Sequence, residues 1–225
     1  MAGLMALVGG EEFRQYCKEM DQEIMRATGK DPARVVVIPT AAVTGPAKAA
    51  NDGVIHFAAL GGDATQLMVL DREQAQDEQL AQGVAGADVI YFTGGNPSHL
   101  LEALRDSRLL TAILERVEQG AILAGSSAGA MVMGSQMRRP RAGEWVTGLG
   151  LAAGIVVLPH HERSDPAEVA QQLQGRLSEN LTALGIDAQT GCLGQPGDWR
   201  VVGSGKVTVY RPDGWRVYAV GETFP

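Results

Sequence analysis

The chain has 225 residues, a net charge of −7 and a pI near 5.1. That length suits one large α/β domain, and the acidic balance with scattered basic residues argues against a nucleic-acid surface, which needs a basic stripe. No apolar run reaches the roughly 20 residues of a membrane span, and Cys17 and Cys192 lie far apart without C-x-x-C spacing, so a cytoplasmic protein with plain core thiols is expected.

In chain order, Met1 to Val8 is short, apolar and free of a basic start, and it leads into Gly9-Gly10, so Leu4–Val8 is expected as a first strand, not a signal peptide. Glu11 to Thr28 follows as a helix with Phe13, Cys17, Met20 and Ile24 on one stripe and Gly29 at its end. Further strands are predicted at Val35–Ile38, Leu67–Leu70, Val89–Phe92, Ala121–Ala124 and Ile155–Leu158, alternating with helical stretches. Such alternation implies a parallel sheet covered by helices on both faces. A long helix is expected from Asp165 to Leu184, capped by Asp165 with Pro166 at its first position, lined by Val169, Leu173, Leu177, Leu181 and Leu184, and stopped by Gly185. Short strands at Arg200–Val202, Lys206–Tyr210 and Trp215–Val220, the last two joined by Pro212-Asp213-Gly214, read as an antiparallel tail closing the same sheet. No repeat, low-complexity tract or linker interrupts residues 1–225, which are expected to form a single domain.

The most informative stretch is Gly125-Ser126-Ser127-Ala128-Gly129, which matches G-x-S-x-G after the apolar run Ala121–Ala124. Small residues there permit a strained strand-to-helix turn that lifts the Ser127 hydroxyl out of the fold, with the helix's first free N–H groups beside it. The alternative is a tight packing turn, but packing has no use for two consecutive serines. Serine needs a base to take its proton. Of four histidines, His56 lies in an apolar stretch and reads as a core histidine, and His99 sits at a helix start without a partner. His160 and His161 follow a predicted strand at the end where parallel sheets bind ligands; if strand geometry persists past Pro159 the two point to opposite sides, so only one can meet Ser127, and His160 is the choice. Glu144, Glu162 and Asp165 compete to orient the imidazole, and Glu144 alone gives the order serine, acid, histidine of elbow-type hydrolases. Thr93-Gly94-Gly95-Asn96 closes another strand and can present backbone donors, which with the Ala128 N–H would form an oxyanion hole; a plain turn needing positive φ fits the same residues. No metal site is expected, since His160, His161, Glu162 and Asp165 lack ligand spacing, and neither Gly9-Gly10 nor Gly203-Ser204-Gly205-Lys206 meets a nucleotide fingerprint, so no cofactor is expected.

Gly9-Gly10-Glu11, Ile38-Pro39-Thr40-Ala41, Phe92-Thr93-Gly94-Gly95-Asn96, the Ser127 elbow, Gly148-Leu149-Gly150-Leu151 and Pro159-His160 together resemble the peptidase E (aspartyl dipeptidase) and cyanophycinase family of serine peptidases, over about Leu4 to Tyr210. The resemblance implies a three-layer α/β/α sandwich with a mostly parallel, flavodoxin-like or glutamine-amidotransferase-like sheet and an antiparallel C-terminal extension. It implies Ser127 as nucleophile, His160 as base, Glu144 as acid, and Gly95 with Ala128 as oxyanion hole. Gly94 and Asn96 are expected to meet substrate, and Arg163 and Arg176 correspond to arginines associated with acidic or Asp-containing substrates. The partner implied is a small acidic or Asp-containing peptide; no nucleic acid or membrane is expected, and a homodimer is left open. One departure is Gly185-Ile186-Asp187-Ala188, where the family carries Gly-Ile-Asp-Glu. The competing readings are a cyanophycinase-like hydrolase of β-Asp-Arg and a non-catalytic glutamine-amidotransferase-like binding domain, the latter weakened because those amidotransferases use cysteine where Ser127 stands.

Overall fold

The computed structural model describes residues 3–139 and 143–225. The order is β1 (Met5–Val8), α1 (Lys18–Ala27), β2 (Arg34–Ile38), α2 (Pro46–Ala59), β3 (Asp63–Gln66), the single-turn helices α3 (Arg72–Ala75) and α4 (Glu78–Ala81), β4 (Val89–Phe92), α5 (Pro97–Leu104), α6 (Arg108–Glu118), β5 (Ile122–Ser126) and α7 (Ala128–Met133). There follow β6 (Gln136–Arg138), β7 (Trp145–Thr147), β8 (Ile155–Pro159), α8 (Pro166–Leu173), β9 (Thr182–Ile186), β10 (Thr190–Gln195), β11 (Asp198–Gly203), β12 (Lys206–Arg211), β13 (Gly214–Ala219) and β14 (Thr223–Phe224). Among the described residues, no helix is long and apolar enough to cross a membrane.

The main sheet has the order β14-β11-β10-β1-β5-β4-β2-β3. Its β1, β5, β4, β2 and β3 run parallel, and β10, β11 and β14 add an antiparallel extension beside β1. Strands β1, β4 and β5 are buried along their whole length, which is why they read as continuous apolar runs. Helices cover both faces: Leu100, Leu104, Leu109 and Ile113 of α5 and α6 pack on one side, and Met20, Ile24 and Phe57 of α1 and α2 on the other. Full burial of each such side chain is worth about 1.5–3 kcal/mol, so the helices are held chiefly by these contacts. Asn96, Ser107 and Asp165 cap α5, α6 and α8 by accepting backbone N–H groups of the first turn.

Four expectations need correction. The first helix begins only at Lys18, after a 3-10 turn at Gln15–Cys17, because Glu11 and Phe13 adopt φ 58° and 63°, which no helix accommodates. Phe13 leaves the expected stripe and stacks near Tyr91, at 5.3 Å between ring centroids. The strand expected at Leu67–Leu70 forms four residues earlier, at Asp63–Gln66, where the chain pairs with β2. The long helix from Asp165 ends at Leu173; Gly175 turns at φ 72° and Leu181 and Leu184 belong instead to the packing around β9. Finally β8 lies outside the main sheet. It pairs in parallel with β9 in a second sheet of order β13-β12-β9-β8, so β12 and β13 close that sheet while β10, β11 and β14 extend the first.

Candidate active site

The parallel registers bring four strand ends level: Val8 pairs with Ser126, Gly125 with Phe92, and Phe92 with Ile38. The turns leaving these ends therefore converge at the carboxyl edge, where open α/β sheets bind ligands. Ser127 is the turn residue between β5 and α7, with φ 47° and ψ −104°. Such a conformation is costly for a residue with a side chain and persists only where the surroundings impose it. Its N–H donates to Val8 O at 2.9 Å and its carbonyl accepts from Met131 N at 2.9 Å, which leaves the hydroxyl as its free polar group.

That hydroxyl meets His160: Ser127 Oγ lies 3.2 Å from His160 Nε2. His160 reaches it from the second sheet, just past β8, in a left-handed conformation with φ 54° and with its N–H donating to Gly9 O at 2.9 Å. The imidazole lies against Gly10, where an added side chain would come within 2.2 Å of His160 Cε1. His161 points elsewhere, although not through strand alternation, because β8 ends at Pro159 and His161 opens a 3-10 turn. It is buried, its Nε2 is 2.7 Å from Tyr210 Oη, and burial lowers its pKa against the opposing charges of Asp187 and Glu162. The other two histidines are structural: His56 pairs with buried Asp21 at 2.7 Å, and His99 bonds to Leu70 O at 2.7 Å.

The turn after β4 stands opposite. Gly95 adopts φ 138° with its Cα face against Ala41 O, and Asn96 N donates to that same carbonyl at 2.7 Å. Among the described residues, the N–H groups of Gly95 and Ala128 have no hydrogen-bond acceptor, whereas that of Gly94 is taken by Glu12 Oε1 at 2.7 Å. Asn96 spends its side-chain oxygen capping α5, on Ser98 N and His99 N.

The three candidate acids are dispersed. Glu144, at the β6–β7 hairpin, forms an ion pair with Arg139 at 3.8 Å, and its side chain is 65% exposed. Asp165 caps α8. Glu162 sits in the 3-10 turn directly after His160 and accepts from Ala188 N at 2.7 Å. Burial pushes the Glu162 carboxyl up, but the Ala188 N–H, its own N–H and the charges of His160 and Arg163 outweigh this and hold it below the usual carboxylate range. Among the described residues, the only side-chain hydrogen bond of the His160 ring is the one to Ser127.

Two clefts meet at Ser127, His160 and Gly95. One, of ≈ 1150 Å³, is rimmed by Arg138, Arg139, Arg163 and Arg176 together with Asp165 and Glu168. Arg163 forms an ion pair with Glu162 at 3.2 Å, while Arg176 has no ion pair among the described residues. Arg141, the remaining member of the basic cluster, lies outside the described residues. The other cleft, of ≈ 720 Å³, has mixed charge, with Lys48 and Asp52 paired on its wall. No cluster of metal-ligating side chains occurs among the described residues.

Residues 4–193 match the sequence profile of peptidase family S51. The chain belongs to peptidase family S51. Cyanophycinase of Trichormus variabilis is 27% identical over 219 residues, covering 92% of this chain and 72% of the cyanophycinase. Peptidase E of Citrobacter koseri is 30% identical over 145 residues, 62% of each chain. A crystal structure of a peptidase from an acI-B1 Actinobacterium superposes with a TM-score of 0.84 at 27% identity, covering 100% of this chain and 97% of that one. This S51 chain is therefore a serine peptidase, a hydrolase.

Sequence reasoning missed Glu12 in this peptidase. Besides Gly94 N, it accepts the Ser126 hydroxyl at 2.8 Å, so it touches the residue before Ser127 and the residue before Gly95. The available signal was its place just past the carboxyl end of β1, an end that faces ligand in this architecture.

Proposed function

We propose that this S51 peptidase hydrolyses an amide next to an aspartyl residue in small peptides, with Ser127 as nucleophile and His160 as general base. The observation that carries the reading is the 3.2 Å approach of Ser127 Oγ to His160 Nε2 from a strained elbow. In this reading His160 takes the Ser127 proton as Oγ attacks the carbonyl, the Gly95 and Ala128 N–H groups hold the oxyanion, and the imidazolium then protonates the leaving amine. Water repeats the steps on the acyl-enzyme. For the carboxylate that supports the imidazolium we favour Glu162 over Glu144, because Glu162 lies in the 3-10 turn directly after His160 and is the less exposed of the two, whereas Glu144 stands on the β6–β7 hairpin with its side chain 65% exposed. Two buried, unbridged cysteines support a reducing, cytoplasmic location.

Acidic selectivity rests on the arginine-lined cleft. A desolvated substrate carboxylate requires a cationic partner, and arginine's fork supplies two parallel donors. A cyanophycinase-like action on β-Asp-Arg is the second reading, favoured by Asp165 and Glu168 in the same cleft, which suit a substrate guanidinium. The test is kcat/KM for Asp-Leu, Asn-Leu, Leu-Leu and β-Asp-Arg on the wild type, Arg163→Met and Arg176→Met. The proposal expects Asp-Leu to lead and the responsible arginine variant to lose about 2–4 kcal/mol of that preference. A lead for β-Asp-Arg establishes the second reading, and equal values throughout refute both.

A further inference from the structure

Behind the Ser127–His160 pair lies a carboxylate that the reaction as described does not use. We infer that Glu12 is a positioning residue for catalysis, a brace whose two oxygens hold the nucleophile elbow and the opposing turn at a fixed separation. The inference rests on the reading of Ser127 as nucleophile and Gly95 as oxyanion donor. Glu12 Oε2 accepts from Ser126 Oγ at 2.8 Å and Glu12 Oε1 accepts from Gly94 N at 2.7 Å. Ser126 and Gly94 immediately precede Ser127 and Gly95, and they belong to strand ends separated in sequence by about thirty residues but adjacent in the sheet. One side chain from a third strand end thus spans both halves of the proposed site.

Three features make this a built arrangement. Ser126 is fully buried, so its hydroxyl has no water to turn to, and it directs its proton to Glu12. Gly94 leaves room for the carboxylate, since a side chain there would sit 2.8 Å from Glu12 Oε1. The backbone also bends to deliver Glu12, with its neighbours Glu11 and Phe13 both at positive φ where the sequence periodicity favours a helix. Taking the Gly94 N–H has a consequence for chemistry. The peptides that carry the Gly94 and Gly95 N–H groups are planar units joined at one Cα, so anchoring the first leaves only φ and ψ of Gly94 to change where the free Gly95 N–H points. Charge-assisted bonds of this kind are shorter and stronger than neutral ones, which suits a brace. Oxyanion stabilisation depends on donors held within about 0.5 Å of the productive position.

The experiment compares Glu12→Ala, Glu12→Asp and Glu12→Gln with the wild type for kcat, KM, affinity for a peptide aldehyde that forms the tetrahedral adduct, affinity for the product, and Tm. Gln retains the length and can accept from Gly94 N while donating to Ser126 Oγ; Asp keeps the charge but loses the reach. The brace requires kcat to fall by roughly 10²-fold in Ala and Asp with KM within about threefold, aldehyde affinity to fall in proportion, product affinity to hold, and Gln to stay within about tenfold of wild type. If Asp retains activity and Gln loses it, charge and not span is what matters and the inference is overturned. It is overturned as well if aldehyde and product affinities fall together, or if folded Ala keeps its kcat. Fluorophosphonate labelling of the wild type separates the levels: no label at Ser127 removes the underlying reading, whereas a label with an unimpaired Glu12→Ala enzyme removes only the brace.

Discussion

Gly95→Ala puts the proposed oxyanion geometry at risk with a single methyl group. The new Cβ would lie 2.0 Å from Ala41 O and 2.4 Å from Ala41 C. Ordinary carbon–oxygen contact is about 3.3 Å, so the turn and the Ala41 carbonyl must separate by roughly 1 Å or more. That carbonyl also accepts Asn96 N–H at 2.7 Å, the bond that ties the turn to the segment after β2, and Gly95 holds φ 138°, where a side chain is strained wherever space exists. Backbone strain of about 1–3 kcal/mol and a weakened hydrogen bond of about 0.5–1.5 kcal/mol together give a destabilisation of about 2–4 kcal/mol. The catalytic effect should be larger. Displacing one oxyanion donor costs roughly 10²–10³ in kcat, and because the interaction belongs to the transition state, KM should hardly move. The measurement is kcat and KM on the best dipeptide, with unfolding followed by circular dichroism. Gly29→Ala is the control: φ is 68° and nothing lies within 4 Å of the added carbon, so it should cost only about 1–2 kcal/mol of stability and leave kcat alone. A folded Gly95→Ala enzyme with kcat within twofold of wild type would refute the assignment of Gly95.

Ser127→Ala should fold normally and lose amide hydrolysis by about 10³-fold or more; wild-type turnover in a protein purified free of other peptidases would remove the nucleophile. Glu162→Gln should lower kcat more than Glu144→Gln does, and the reverse ranking returns the acid to Glu144. Glu162 also carries a pH signature. Its folded pKa is depressed, so its contribution to stability is present above the ordinary carboxylate pKa and is lost as pH falls through the depressed value. The stability gap between wild type and Glu162→Gln should therefore narrow on acidification from pH 6, and a gap independent of pH would contradict this account.

The turn that carries Ser127 was legible because it depends on local rules. A G-x-S-x-G turn after a short apolar run demands a strained elbow whatever surrounds it, and Ser127 adopts one. Of the two neighbouring histidines, His160 meets Ser127 and His161 meets Tyr210, but strand alternation is not the cause: β8 belongs to the second sheet and ends at Pro159, His160 turns into the left-handed region at φ 54°, and His161 opens a 3-10 turn. Continuous apolar runs likewise marked β1, β4 and β5, since both of their faces are covered. Other features depended on partners that periodicity does not encode. The stretch Leu177–Leu184 keeps helical spacing, yet pairing of β9 with β8 and β12 outweighs that preference once Gly175 has turned the chain. Which sheet β8 joins is decided by its neighbour, and a strand's own sequence specifies only that its faces be buried. Acidic residues were least legible of all: Glu12, Glu144 and Glu162 are equally polar in sequence, and their separate roles follow from what stands within 3 or 4 Å of each carboxylate. A carboxylate's function is set by its partners: Glu12 meets Gly94 and Ser126 and Glu162 meets Ala188, all distant in sequence, whereas Glu144 meets Arg139 within its own hairpin.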